Sequence, residues 1–228
     1  MIASDDPRVT RLTALVEAGD VEGLRALLAE HPGLAAERYG DEGMSRTALH
    51  VVTDWPGRRP RAAESIALLV EAGAPVDGRF AGPHRETALH WAASSDDVPA
   101  IDALLDAGAD LEADGAVLTD GTPLSDAVVF AQRRAARRLV ERGAAMTLWQ
   151  AAALGEAAEV DRLLEASAYD AADLDNACWH ACRAGEAAVV RRLVALGADL
   201  DWPGYDGLSS RDAALASGDA GLREWLGE

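Results

Sequence analysis

His84, Glu86, His90, Asp96 and Asp97 crowd one short stretch of the chain, with His50 and Asp54 ahead of them. Carboxylates and imidazoles exchange protons, so a groove lined by them could do general acid–base work if pairs lie within hydrogen-bond reach and their pKa values are tuned. No GxSxG, HExxH or glycine-rich phosphate loop accompanies them. Asp96-Asp97 also stands where a helix start wants an acidic cap. The expectation is no catalytic residue. A second cluster, Cys178, His180 and Cys182, has the residue types of a metal site. On a helix the two cysteines share one face while His180 points about 200° away. That geometry argues against a metal site, and no metal and no cofactor are expected.

Composition removes other chemistries. The 21 basic residues are all arginine, which excludes a Schiff-base lysine, a phosphate-loop lysine and a lysine base. The net charge is −18, which argues against nucleic acid and an anionic membrane surface and suits a basic protein partner or simple solubility. Two cysteines make no disulfide framework. No apolar run is long enough to span a bilayer, and MIASDDPRVTR has no signal-peptide pattern. A monomer in a reducing cytoplasm is expected. The arginine and alanine usage suggests a GC-rich, bacterial genome.

The elements that must position these residues show in a repeat. Thr-Ala-Leu-His occurs at Thr47–His50 and Thr87–His90, and Thr-Pro-Leu-Ser at Thr122–Ser125, with starts 40 and 35 residues apart. Such a period marks a solenoid, in which each unit buries its apolar face on its neighbours. After Thr87 the chain reads TALHWAASSDDVPAIDALLDAGADLE, and closing triplets recur at Gly73-Ala74-Pro75, Gly108-Ala109-Asp110, Gly143-Ala144-Ala145 and Gly197-Ala198-Asp199. This pattern resembles the ankyrin repeat: a TPLH-type helix start, an Ala-Ala pair, a glycine, a leucine-rich second helix and a Gly-Ala-Asp close. The chain also looks like the single-domain bacterial members of that family.

The resemblance implies an all-α ankyrin-repeat solenoid of about seven helix-turn-helix units in one domain over 1–228. The units start near residues 10, 47, 87, 122, 146, 176 and 209, and some carry β-hairpin fingers. Finger-length segments lie at Asp77–Thr87, Glu112–Thr122 and Asp201–Ser209, with no room for one between Gly143 and Met146. The second unit carries an insert, Asp54–Arg61, with one tryptophan and three arginines. Second-helix residues Ile66, Leu69 and Val70, and Ile101, Leu104 and Leu105, are expected inside. So are His50 and His90, whose family role is to bond the backbone of an adjacent loop. Ser125, Trp149, Trp179 and Asp212 take the same position in other units.

The resemblance further implies a non-catalytic protein-interaction module. Its partner is expected on the concave face formed by Trp91, Asp126, Gln150 and His180, together with Phe80, His84 and Arg85 of one finger and Trp55 of the insert. The alternative is a small-molecule-binding protein or enzyme working near His84, Glu86, His90 and Trp91.

Overall fold

The computed structural model describes residues 1–227, which fall into two compact units, Met1–Ala145 and Met146–Glu228. Among the described residues fourteen α-helices form seven successive pairs. The first unit holds α1 (Pro7–Ala18) with α2 (Val21–Glu30), α3 (Ala48–Thr53) with α4 (Ala62–Glu71), α5 (Ala88–Ser94) with α6 (Val98–Asp106), and α7 (Pro123–Val129) with α8 (Arg133–Glu141). The second unit holds α9 (Leu148–Leu154) with α10 (Ala157–Ala166), α11 (Ala171–Ala184) with α12 (Ala187–Ala195), and α13 (Ser210–Ser217) with α14 (Ala220–Leu226).

Each pair is built from the same local rules. Leu49, Leu89 and Leu124 are buried from the first helices, and Ile66, Leu69, Ile101 and Leu104 from the second. Ala92, Ala93, Ala151 and Ala152 are wholly buried, and their small side chains let helices approach closely. Val70 and Leu105, expected inside, are only half-buried.

Two starts and one register position differ from the sequence reading. The first unit begins at Asp6, not near Thr10, because Asp6 caps α1 by accepting from Arg8 N and Pro7 takes the first helical position. In the fifth pair Thr147 is the cap and Gln150 bonds back to it. Gln150, not Trp149, therefore occupies the histidine position. The sixth pair starts five residues ahead of Asn176, at Ala171, because Asp170 and Asp173 form a reciprocal cap.

The fingers are also uneven. A hairpin the sequence reading did not single out, β1 (Arg38–Gly40) with β2 (Ser45–Thr47), pairs Arg38 with Thr47. Bridges Arg79↔Thr87 and Pro203↔Ser209 close two of the expected fingers, and Ser45↔Ala81 joins two adjacent ones. The segment before Thr122 is a turn held by Gly115 N to Asp120 O and Ala116 N to Gly121 O. Arginine stitches the row: Arg38 donates to the carbonyls of Ser45 and Arg79, and Arg79 to that of Asp114.

Candidate functional site

The two TALH histidines are structural pins. Thr47 N donates to His50 Nδ1 at 3.3 Å, and Thr87 N to His90 Nδ1 at 3.1 Å. The proton then sits on Nε2, which donates to Glu86 O from His50 and to Gly121 O from His90. Each imidazole thus ties its own helix start to the residue just before the next threonine. Burial lowers both pKa values, that of His50 to about 3, so both rings are neutral. Trp179 does the same work in the second unit: its Nε1 donates to Leu208 O, one residue before the Ser209 cap, at 3.0 Å.

Around these pins the first unit assembles a cluster. Glu86, buried at the foot of the finger, accepts from Trp91 Nε1 at 2.8 Å through Oε2 and from Val117 N at 3.0 Å through Oε1. His84 Nδ1 lies 2.9 Å from Glu86 Oε2 without the alignment of a hydrogen bond. The Asp126 carboxyl is pushed up to about 9 by burial, then by the charge of Glu86 and a hydrogen bond with it. At neutral pH Asp126 therefore keeps its proton and donates it toward Glu86. The aromatic rings close the arrangement. Phe80 stacks on His84 at 4.4 Å, and Trp91 packs edge-on against His50 at 4.7 Å.

The structure thus places Trp91, Asp126, Phe80, His84 and Glu86 together. It places several of them inside rather than on a contact face. Asp126 is 1% exposed, and Phe80 is buried under the finger instead of standing at its tip. In the second unit Gln150 is buried by its capping role. His180 is buried among Trp149, Trp179 and Tyr205, whose ring centres lie 4.7, 5.1 and 5.6 Å away. Burial lowers the His180 pKa to about 4. Arg85 is exposed, with Asp114 at 3.8 Å. Cys178 and Cys182 are buried free thiols, and hydrogen bonding between them together with burial raises the Cys182 pKa. Among the described residues no three His, Cys, Asp or Glu side chains are grouped to hold a metal.

Several apolar side chains reach the surface beside this cluster. Trp55 of the insert is 80% exposed and Phe130, at the end of α7, 42%. Val117 and Leu118, from the loop before Thr122, are exposed as well. Trp55, Val117 and Phe130 line a pocket of about 190 Å³ together with Trp91, His84 and Glu86. Sequence reasoning picked out Trp55 and missed Val117, Leu118 and Phe130. The signal was present in the adjacent Val-Leu of a loop otherwise made of small and polar residues.

An ankyrin repeat family model matches residues 84–113, the segment that contains Glu86, His90 and Trp91. No curated protein matches the chain. Among solved structures, the human ASB11 ankyrin repeat domain is similar, with a TM-score of 0.57 and 21% identity over 94% of this chain and 96% of that one. The fold is accordingly an ankyrin-repeat stack of helix pairs with small hairpins. No described helix is long and apolar enough to cross a membrane.

Proposed function

We propose that the chain is a non-catalytic protein-interaction module, and that its contact surface in the first unit is the patch formed by Trp55, Val117, Leu118 and Phe130 around the Trp91 pocket. One observation carries this reading: the exposed apolar side chains of Trp55, Val117 and Phe130, from three separate loops, line one pocket, and Leu118 is exposed next to Val117 in the sequence. Clustered exposed apolar residues that include tryptophan mark association surfaces, because each ring brings much area at little entropic cost. The ankyrin resemblance points the same way. The net charge of −18 favours a protein over nucleic acid. The same proposal takes the chain to be a monomer in a bacterial cytoplasm.

Catalysis near His84, Glu86, His90 and Trp91 has less support. His90 is wholly buried and both of its nitrogens are bonded. Both Glu86 oxygens accept from the protein's own donors. The decisive experiment is cross-linking and co-purification from native cells with the wild-type chain, the double substitution Trp55→Ala and Phe130→Ala, and Leu196→Ala, an exposed apolar residue of the second unit, as a surface control. The double substitution should lose the partner without loss of thermal stability, and the control should keep it. Equal recovery with all three chains would remove this patch as the contact surface.

A further inference from the structure

The pocket beside Trp55 holds carboxylates that no arginine of the chain enters to match. Trp55, Trp91 and Phe130 bring aromatic rings to it and Asp54 and Glu86 bring acids, while none of the 21 arginines lines it. We propose that this pocket takes an arginine side chain of the protein partner, its guanidinium held by the rings and the two carboxylates. The proposal rests on the reading of this patch as the contact surface and names what the partner inserts there.

Glu86 is 5% exposed. Its two donors, Trp91 Nε1 and Val117 N, are neutral groups, one on each oxygen, so they solvate the carboxylate without cancelling its charge. Each oxygen keeps a lone pair for a further donor. Among the described residues its only ion-pair neighbour is His84, whose Nδ1 aligns no hydrogen bond with it. A buried charge without a counter-ion is costly, which favours the arrival of a cation. Asp54 is a second, more exposed carboxylate. Arg46 is bonded to its Oδ2 from outside the pocket, and its Oδ1 has no partner among the described residues.

Ser95 points to a ligand independently of the charges. It is 8% exposed and lines the pocket, and its hydroxyl has no hydrogen-bond partner among the described residues. A buried polar group that its own chain leaves unmatched is completed by a group from outside. Hydroxyl, carboxylates and rings together select a guanidinium. Its planar fork of N–H donors reaches acceptors on separate loops, and its faces stack on aromatic rings, whose quadrupole attracts the charge. An ammonium is a compact, strongly hydrated point charge and matches such a spread of acceptors less well. The walls are also held in place. Gly57 lies so close to Ser95 that a Cβ there would stand 2.7 Å from Ser95 Cβ, and Arg58 N donates to Asp97, which together seat the insert that carries Trp55. Two residues after Phe130, Gln132 Nε2 donates to Ser94 O at 2.9 Å. A preformed pocket loses little entropy on filling.

The test titrates the full chain with three short peptides of blocked ends, in which glycines flank arginine, lysine or the uncharged isostere citrulline. Binding is read from the indole N–H resonances at about 0.15 M ionic strength, where general attraction to the acidic surface is screened. The arginine peptide is expected to shift the signals of Trp55 and Trp91 and to bind about tenfold tighter than citrulline, the worth of one charge-assisted contact. Trp55→Ala should weaken arginine binding about threefold, the size of an exposed cation–π contact. Glu86→Gln should remove the preference over citrulline. No binding of the arginine peptide, or equal binding of arginine and citrulline, would overturn the proposal. So would lysine binding as tight as that of arginine, or arginine binding that neither substitution weakens, which is general attraction to an acidic chain. Should Glu86→Gln fold poorly, Trp55→Ala and Asp54→Asn decide, because both side chains are exposed and can be replaced without opening the core. Arginine binding unchanged in both is incompatible with the site. Each of these failures leaves the contact surface itself standing, since that is decided by recovery of the partner with the double substitution Trp55→Ala and Phe130→Ala.

Discussion

Asp126 is buried beside Glu86 inside the first unit, and that arrangement has a measurable consequence. The unfolded Asp126 carboxyl titrates near 3.8 and the folded one near 9. Between those values the native chain keeps a proton that the unfolded chain has released, so this group's contribution to stability is full at low pH and is lost as pH rises toward 9. His50 and His90 act in the opposite sense. Their folded pKa values lie below the ordinary 6.5, so their contribution is full above that value and is lost as pH falls. We expect Asp126→Asn, whose amide can donate to Glu86 without titrating, to remove the decline of melting temperature between about pH 7 and about pH 9. Thermal melts at several pH values check this, and an unchanged slope would show that Asp126 is ionised in the native chain. The roles of His50, His90, Asp97 and the two thiols were legible in the sequence, because each follows from a local position in the repeat. The Glu86–Asp126 pair was not, although both residues were noticed. The two belong to different units, and no single-chain pattern tells which side chains from adjacent repeats point at each other.

At the scale of elements, the departures from the repeat fall where local capping outbids the family register. Asp6 and Asp170 each make a better helix start than the residues the repeat spacing suggests, which moved two boundaries. The core helices were otherwise readable from their 3.6-residue periodicity. The fingers were harder, because a hairpin depends on pairing between chain segments rather than on composition. Trp179 shows how a unit without its histidine still holds its neighbour. Its indole bonds Leu208 O and packs on Tyr205 of the finger at 5.0 Å. Gly204 lies against that ring so closely that any Cβ there would run into Trp179 Cδ1 and Nε1. Trp179→Phe keeps most of the packing and loses the bond, so a cost of about 1 kcal/mol is expected. Gly204→Ala forces the ring or the finger to move and should cost more, about 1–3 kcal/mol. Urea denaturation of the two variants checks the order. A Gly204→Ala chain as stable as the wild type would mean that the finger is loosely seated on the indole.

For the whole molecule, the division into Met1–Ala145 and Met146–Glu228 falls where the spacing leaves no room for a finger. Helix α8 ends at Glu141, Ala144 N closes back on Leu139 O, and Thr147 already caps α9. Elsewhere in the first unit, finger stitches such as Arg38 to Arg79 and Arg79 to Asp114 bind successive repeats in addition to their helix packing. In a linear array, stability is a sum of unit terms and nearest-neighbour interfaces, so two separately compact units are expected to open separately. Native-state hydrogen exchange resolves this, since opening free energies are read amide by amide. We expect the amides of α3 to α8 to open together, and those of α9 to α13 to open as a second group at a different free energy. Addition of a low denaturant concentration should widen that gap, because the larger unit exposes more surface on opening and so has the steeper dependence. One shared opening energy from α3 to α13, with a single denaturant slope, would show instead that the array unfolds as one cooperative body despite the missing finger.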